Sequence, residues 1–229
     1  MTLSSAARVR SRRPRGSLSR ELILDAAEEV AQPGFDALTL RAVAARLEAA
    51  PMALYRHFAT KEELINALLE RVLGRFAAKP PSADWVHDLR HFARAHRQLL
   101  DQHPWALAGL FSHPKPGLNA TCIGEVALEI LSRARLANDS VVATFSGLLA
   151  LNYGWSAFAA ARDALPANAA AQVRQALAAL PRAEFPHTAA VAEEMAGYAS
   201  DRHYELVLDQ IMVGIWSAAH RATNPSMDV

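Results

Sequence analysis

Apolar residues recur at three- and four-residue intervals through most of this chain, the spacing of helices with one buried face. Between residues 19 and 32 they are Leu22, Ile23, Ala26, Ala27, Val30 and Ala31. Ser19 is placed as N-cap, Glu21 sits at the positive helix end, and Pro33-Gly34 supplies the stop. Leu40, Val43, Ala44 and Leu47 repeat the pattern over 40–47 behind a capping Thr39. Glu48-Ala49-Ala50 interrupts it, and Pro51 suits the first turn of another helix over 51–58, where its missing N–H is no loss. So short a helix needs tertiary support. Thr60 and Glu63 make a Thr-x-x-Glu capping box ahead of Leu64, Ile65, Leu68, Leu69, Val72, Leu73 and Phe76, a run stopped by Pro80-Pro81. These segments predict a domain over 19–79, with Leu22, Ile23, Ala26, Val30, Phe35, Leu40, Val43, Leu47, Leu54 and Phe58 as its core.

A second domain, 82–222, follows. Ser82 or Asp84 caps a helix to about Gln102, with Trp85, Leu89, Phe92, His96, Leu99 and His103 on one face. His87, His91, Arg94, Gln98 and Asp101 fall on the other, which the pattern assigns to solvent. A short apolar helix over 105–111 precedes the breakers at 113–117, and further helices are expected over 118–134 and 141–164. Residues 141–161 carry no charge, long enough in principle to span a bilayer. Thr144, Ser146, Gly147, Asn152, Gly154 and Ser156 within it, and the preference for Ala over Leu and Ile, point instead to a core helix that also meets a partner subunit. An Ala- and Pro-rich stretch, 164–186, holds one short helix over 169–180. Thr188 is expected to cap another, to Tyr198. Ser200 or Asp201 caps the last long helix, with Tyr204, Val207, Leu208, Ile211, Met212, Ile215 and Trp216 as its stripe; 224–229 reads as a frayed tail. Strand patterns, repeats, Gly-rich phosphate loops and nucleophile elbows are absent from the sequence, so the fold class is all-α.

Composition adds little to this until charge is divided by region. Residues 1–79 hold 13 Lys and Arg against 9 Asp and Glu, net +4, which leaves 11 against 14, net −3, for the remainder. Arg8, Arg10, Arg12, Arg13 and Arg15 lie in an acid-free arm, 1–18, expected to be disordered and able to follow phosphates or enter a minor groove. A single Cys, Cys122, makes no internal disulfide, and no apolar leader opens the chain, so a reducing cytoplasm is the expected compartment.

Two short helices around a three-residue turn form a helix-turn-helix, whose second helix enters the DNA major groove. Within it Tyr55, Arg56 and His57 bring donors and acceptors for phosphates or base edges. The run LTLRAVAARL, the ALYRHF segment and the following TKEEL resemble the tetracycline-repressor (TetR) family of bacterial transcriptional regulators. The resemblance implies that Tyr55 and Lys61 contact phosphates, Arg41 the backbone or an outer base, and Pro51, Met52, Ala53 and His57 the groove edges. Two positions depart from the family. Glu48 stands where the turn usually carries Gly, which requires a left-handed backbone there, and Ala50 stands where a Ser-type cap is usual.

The resemblance also implies that residues 141–164 and 200–220 pair with their copies in a four-helix bundle, and that helices between 84 and 164 enclose an effector cavity. Phe92, His96, Trp105, Phe111, Phe145, Asn152 and Trp155 have the make-up of such a pocket, aromatic walls with a few polar groups. The implied protein is a repressor that binds a near-palindromic operator as a homodimer and is released by an apolar or aromatic small molecule, without cofactor, membrane or catalysis. Two other classes compete. His87-Asp88-Leu89-Arg90-His91 approaches a His-Glu-x-x-His zinc motif, but its acid is Asp and a third ligand is missing. A protein-binding helical adaptor leaves the basic arm and the YRHFATK chemistry unexplained.

Overall fold

The computed structural model describes residues 18–112 and 117–223; the basic arm up to residue 17, the breaker residues 113–116 and the tail 224–229 lie outside the described residues. All regular structure among the described residues is helical, and the chain divides into two compact units, 1–68 and 69–229.

The first unit is built by caps that the sequence announces. Helix α1, Arg20–Ala31, starts where Ser19 Oγ accepts from Leu22 N at 3.1 Å, and α2, Leu40–Arg46, where Thr39 Oγ1 accepts from Ala42 N at 3.0 Å. Gly34, at φ 120°, turns the chain between them in a backbone region closed to other residues. Glu48 adopts φ 53°, the left-handed turn that its position demanded. Helix α3 is shorter than the apolar spacing predicts, Pro51–Leu54, because the next turn tightens: His57 N and Phe58 N both donate to the Leu54 carbonyl. Arg20 takes the His57 carbonyl at 3.0 Å and lies 4.2 Å over the Phe58 ring. Ile23, Leu38, Leu54, Phe58 and Leu64 are fully buried around this turn, whereas Leu22, Val30 and Phe35 are only half-buried. The capping box forms as expected, with Glu63 N donating to Thr60 Oγ1 and Ala59 N to Glu63 Oε2, and opens α4, Lys61–Leu73. Helix α4 ends at Leu73, three residues before Phe76.

In the second unit Asp84 Oδ1 accepts from Val86 N and His87 N to start α5, Trp85–Gln102. A 3-10 turn, Pro104–Ala106, leads into α6, Leu107–Ser112, and then come α7, Leu118–Ser132, and α8, Asn138–Asp163. Glu70 caps α7, accepting from Asn119 N at 2.8 Å, and a side chain at Gly117 would collide with that carboxylate. Helix α8 starts before its expected Asn138-Asp139-Ser140 cap, after Ala137. It has the length and composition to cross a membrane. Within the chain it is not a fully buried helix: a narrow stripe of Leu148, Asn152, Ser156 and Ala159 is covered. Past it lie α9, Ala169–Ala178, then two short pieces, α10, Pro186–Ala190, and α11, Ala192–Met195, rather than one helix capped by Thr188. Helix α12, Asp201–Thr223, closes the unit with Tyr204, Leu208, Met212, Ile215 and Ala219 buried.

Candidate nucleic-acid interface and effector chamber

The outward side of the helix-turn-helix carries every residue assigned to DNA. Pro51, Met52, Tyr55, Arg56 and Arg41 are exposed, and Ala53, His57 and Lys61 are half-buried. Leu54 and Phe58 are fully buried beneath them, so one turn of sequence supplies both an anchor and a presenting surface. Tyr55 is 45% exposed, which sets its ring on the surface rather than in the core. Beside it lies a groove of about 330 Å³ bounded by Thr39, Arg41, Tyr55, Thr60 and Lys61. Two cations, a phenol and two hydroxyls around so small a notch suit a phosphate oxygen. Lys61 Nζ donates to the Phe35 carbonyl at 2.9 Å, which holds the ammonium in place and leaves two donors for an anion. Arg46 is committed to Glu29 on α1.

The second unit contains a chamber of about 990 Å³ between α5, α7 and the segment 76–81. Phe76, Phe92, Ala95, Val126 and Ile130 give it apolar walls, and His91, Gln98, Cys122, Glu125 and Glu129 supply polar groups. The α5 face assigned to solvent therefore forms one wall, and His91 is half-buried there. Asp88 also reaches this wall but is spent structurally. It accepts from Ser82 Oγ at 2.7 Å, Ser82 N at 2.8 Å and Arg133 Nη2 at 2.8 Å, which hold its carboxyl far below the usual range.

Of the seven residues expected to contact an effector, Phe92 lines this chamber and the other six do not. His96 and Asn152 are buried on the opposite side of α5, where they satisfy each other. Asn152 Nδ2 lies 2.9 Å from the Ala93 carbonyl and 3.1 Å from His96 Nδ1, and Asn152 Oδ1 accepts from the Tyr204 hydroxyl at 2.8 Å. Burial pushes His96 down to about 4, so it is neutral, and raises the Tyr204 phenol. Trp155 Nε1 donates to the carbonyls of Ala199 and Ser200, fixing the entry to α12. Trp105 is buried beside His103 at 6.4 Å between ring centres. Phe111, 61% exposed, packs on Tyr153 at 5.1 Å, and Phe145 faces α7 at Gly124. His96 and Asn152 read as pocket groups because each needs a partner once buried; the structure supplies those partners from α5, α8 and α12. Residues missed by the sequence reading, Val126 and Ile130, had no signal beyond ordinary apolar spacing.

Comparison with known proteins agrees with this architecture. Residues 23–68 match the model for bacterial regulatory proteins of the tetR family, and 77–218 match the tetracyclin repressor-like C-terminal domain. An HTH-type transcriptional regulator of Saccharopolyspora erythraea is 31% identical over 138 residues, 59% of this chain and 58% of that protein. The HTH-type transcriptional repressor DrrR1 of Streptomyces coeruleorubidus is 32% identical over 136 residues, 58% of this chain and 50% of the repressor. The chain thus spans only about half to three-fifths of the length of these relatives. Among solved structures, the TetR regulator SCO7222 of Streptomyces coelicolor superimposes with a TM-score of 0.73 at 27% identity, covering 88% of this chain and 99% of that one. ActR of Streptomyces coelicolor in complex with actinorhodin shares the fold, with a TM-score of 0.79 at 22% identity over 88% and 98% of the two chains. With both its helix-turn-helix unit and its C-terminal unit matched, the chain belongs to the tetR family of bacterial regulatory proteins, which are DNA-binding transcriptional regulators and not enzymes.

Proposed function

We propose that the protein is a cytoplasmic repressor that binds a near-palindromic operator as a homodimer and leaves it when a small apolar or aromatic molecule enters the second unit. The observation that carries the DNA half is the exposed surface from Pro51 to His57 set beside the Arg41, Tyr55 and Lys61 notch. In this reading Pro51, Met52, Ala53 and His57 meet base edges, Tyr55 and Lys61 meet phosphates, Arg41 the backbone or an outer base, and Arg56 phosphates or base edges. A single short helix reads few base pairs, so two-fold pairing is needed for affinity and specificity. Support for pairing comes from α8 and α12. Val142, Phe158, Leu206, Val213 and Trp216 are each about half exposed or more, a larger apolar surface than a monomer usually leaves in water.

The apolar walls of the chamber favour an effector of the expected class, held by Phe76, Phe92, Val126 and Ile130. ActR has been solved with actinorhodin, which supports a small-molecule input for this fold. Release follows if the ligand prefers a spacing of the two recognition helices that does not fit DNA. A gel shift with DNA upstream of the protein's own gene tests the reading. Binding should weaken steeply with salt. Lack of affinity for any genomic fragment at low salt overturns it, and a monomeric mass at micromolar concentration overturns the dimer.

A further inference from the structure

On the side of α5 that borders the chamber the rings of His87 and His91 meet one turn apart, with Nε2 to Nε2 at 3.0 Å and the planes inclined at 78°. The protons along this row can be ordered from its ends. Lys79 Nζ can only donate and lies 3.3 Å from His91 Nδ1, so the His91 proton sits on Nε2. From there it is donated to His87 Nε2, which must be a free lone pair. His87 then carries its proton on Nδ1, facing Asp88 Oδ1 at 3.6 Å. Asp88 is held by Ser82 and Arg133, and its carboxylate stands 3.6 Å behind the His87 ring, too far for a direct hydrogen bond.

We propose that His87 and His91 form a two-imidazole chelate for a divalent first-row transition metal of the Cu2+ or Ni2+ type, at the edge of the chamber. The separation is also compatible with that class. With metal–nitrogen bonds of about 2.0–2.1 Å, nitrogens 3.0 Å apart subtend roughly 90–100° at the metal. That is the angle between adjacent positions of a square or octahedral site, whereas a tetrahedral zinc site would hold them at about 3.3–3.4 Å. Both rings are available. His87 is exposed and His91 half-buried, so an ion reaches both from solvent. Metal entry moves the His91 proton from Nε2 to Nδ1 and turns the exposed Lys79 ammonium into solvent, so both rings stay neutral and no proton is released. Water fills the remaining positions, because no group of three or more His, Cys, Asp or Glu among the described residues could hold a metal ion. The proposal does not depend on the chamber having an effector.

Untagged full-length protein titrated with Cu2+ tests it, by calorimetry and by electron paramagnetic resonance. One ion should bind with two nitrogen couplings. His87→Gln and His91→Gln should each remove the two-nitrogen signature and weaken binding at least tenfold, while Lys79→Met, which deletes the charge beside the ion, should tighten it. Excess Cu2+ should raise the melting temperature of the wild type and of neither histidine variant. If His87→Gln keeps wild-type affinity and both couplings, or if the wild type binds no Cu2+ at 100-micromolar concentrations (about 5.5 kcal/mol of binding), the proposal is overturned.

Discussion

The surface assigned to DNA and the polar interior of the second unit use similar side chains for opposite purposes. In the first unit Arg41, Tyr55, Arg56, His57 and Lys61 fall within a single stretch and keep their polar ends at the surface. In the second, the buried Arg97, Asn152, Ser156 and Tyr204 come from three helices far apart in sequence and are tied to each other and to the exposed carboxylates of Asp101 and Asp201. Arg97 Nη2 meets Asp201 Oδ1 at 2.5 Å and stacks 4.1 Å over Tyr204, and the Ser156 hydroxyl donates to Asp101 at 2.6 Å. Exposed polar groups cost the fold little and are free to recognise a partner. Buried ones must be satisfied inside, so their removal is felt as stability.

The largest separation between the two regions should appear on acidification. His96 is held neutral, its value lowered from 6.5 to about 4 by burial, so the unfolded chain takes up a proton that the folded chain refuses. Its contribution is intact above pH 6.5 and is lost as pH falls from there towards 4, amounting to about 3 kcal/mol. Denaturant titrations across that window should show the second unit losing stability, and His96→Gln should flatten the slope. An unchanged slope in that variant would assign the acid sensitivity elsewhere.

Asn152→Ala comes next. It leaves the Tyr204 hydroxyl and His96 Nδ1 without a partner in a buried site and should cost about 2–3 kcal/mol. DNA affinity measured below the melting transition should be unchanged. A loss below 1 kcal/mol would mean that water replaces the amide.

On the DNA surface the signs reverse. Lys61→Ala should weaken binding to every sequence by roughly tenfold and reduce the salt slope by about 1, with little change in melting. Tyr55→Ala should act uniformly as well, whereas His57→Ala or Met52→Ala should alter base preference. If Tyr55→Ala unfolded the unit, its ring would have to be counted as core.

The smallest effect is expected at the turn. Glu48→Gly relieves a left-handed backbone at φ 53° and should stabilise by about 1 kcal/mol while removing a negative charge near DNA. Weaker operator binding by this variant would show that the carboxylate has a positive role there.

The residues legible in the sequence were those whose partners lie within one turn. Ser19, Thr39, Thr60 with Glu63, and Asp84 cap the helices they precede because a side-chain oxygen reaches only the next few N–H groups. The buried Leu54 and Phe58, four residues apart, and the exposed Tyr55 between them followed from the helical period. Periodicity could not say which side of α5 would bound a chamber. Its His96 side is closed by α8 and α12, while its His91 side looks across a gap to α7, and both are set by segments tens of residues away. The sequence by itself determined the helices, the capped turn of the DNA-facing unit and the family, since those depend on local hydrogen bonds and contiguous motifs. Only the tertiary structure decided that His96 and Asn152 satisfy each other and that His91 borders an apolar chamber. Pairing between distant polar groups depends on where whole helices pack, and no local spacing encodes that.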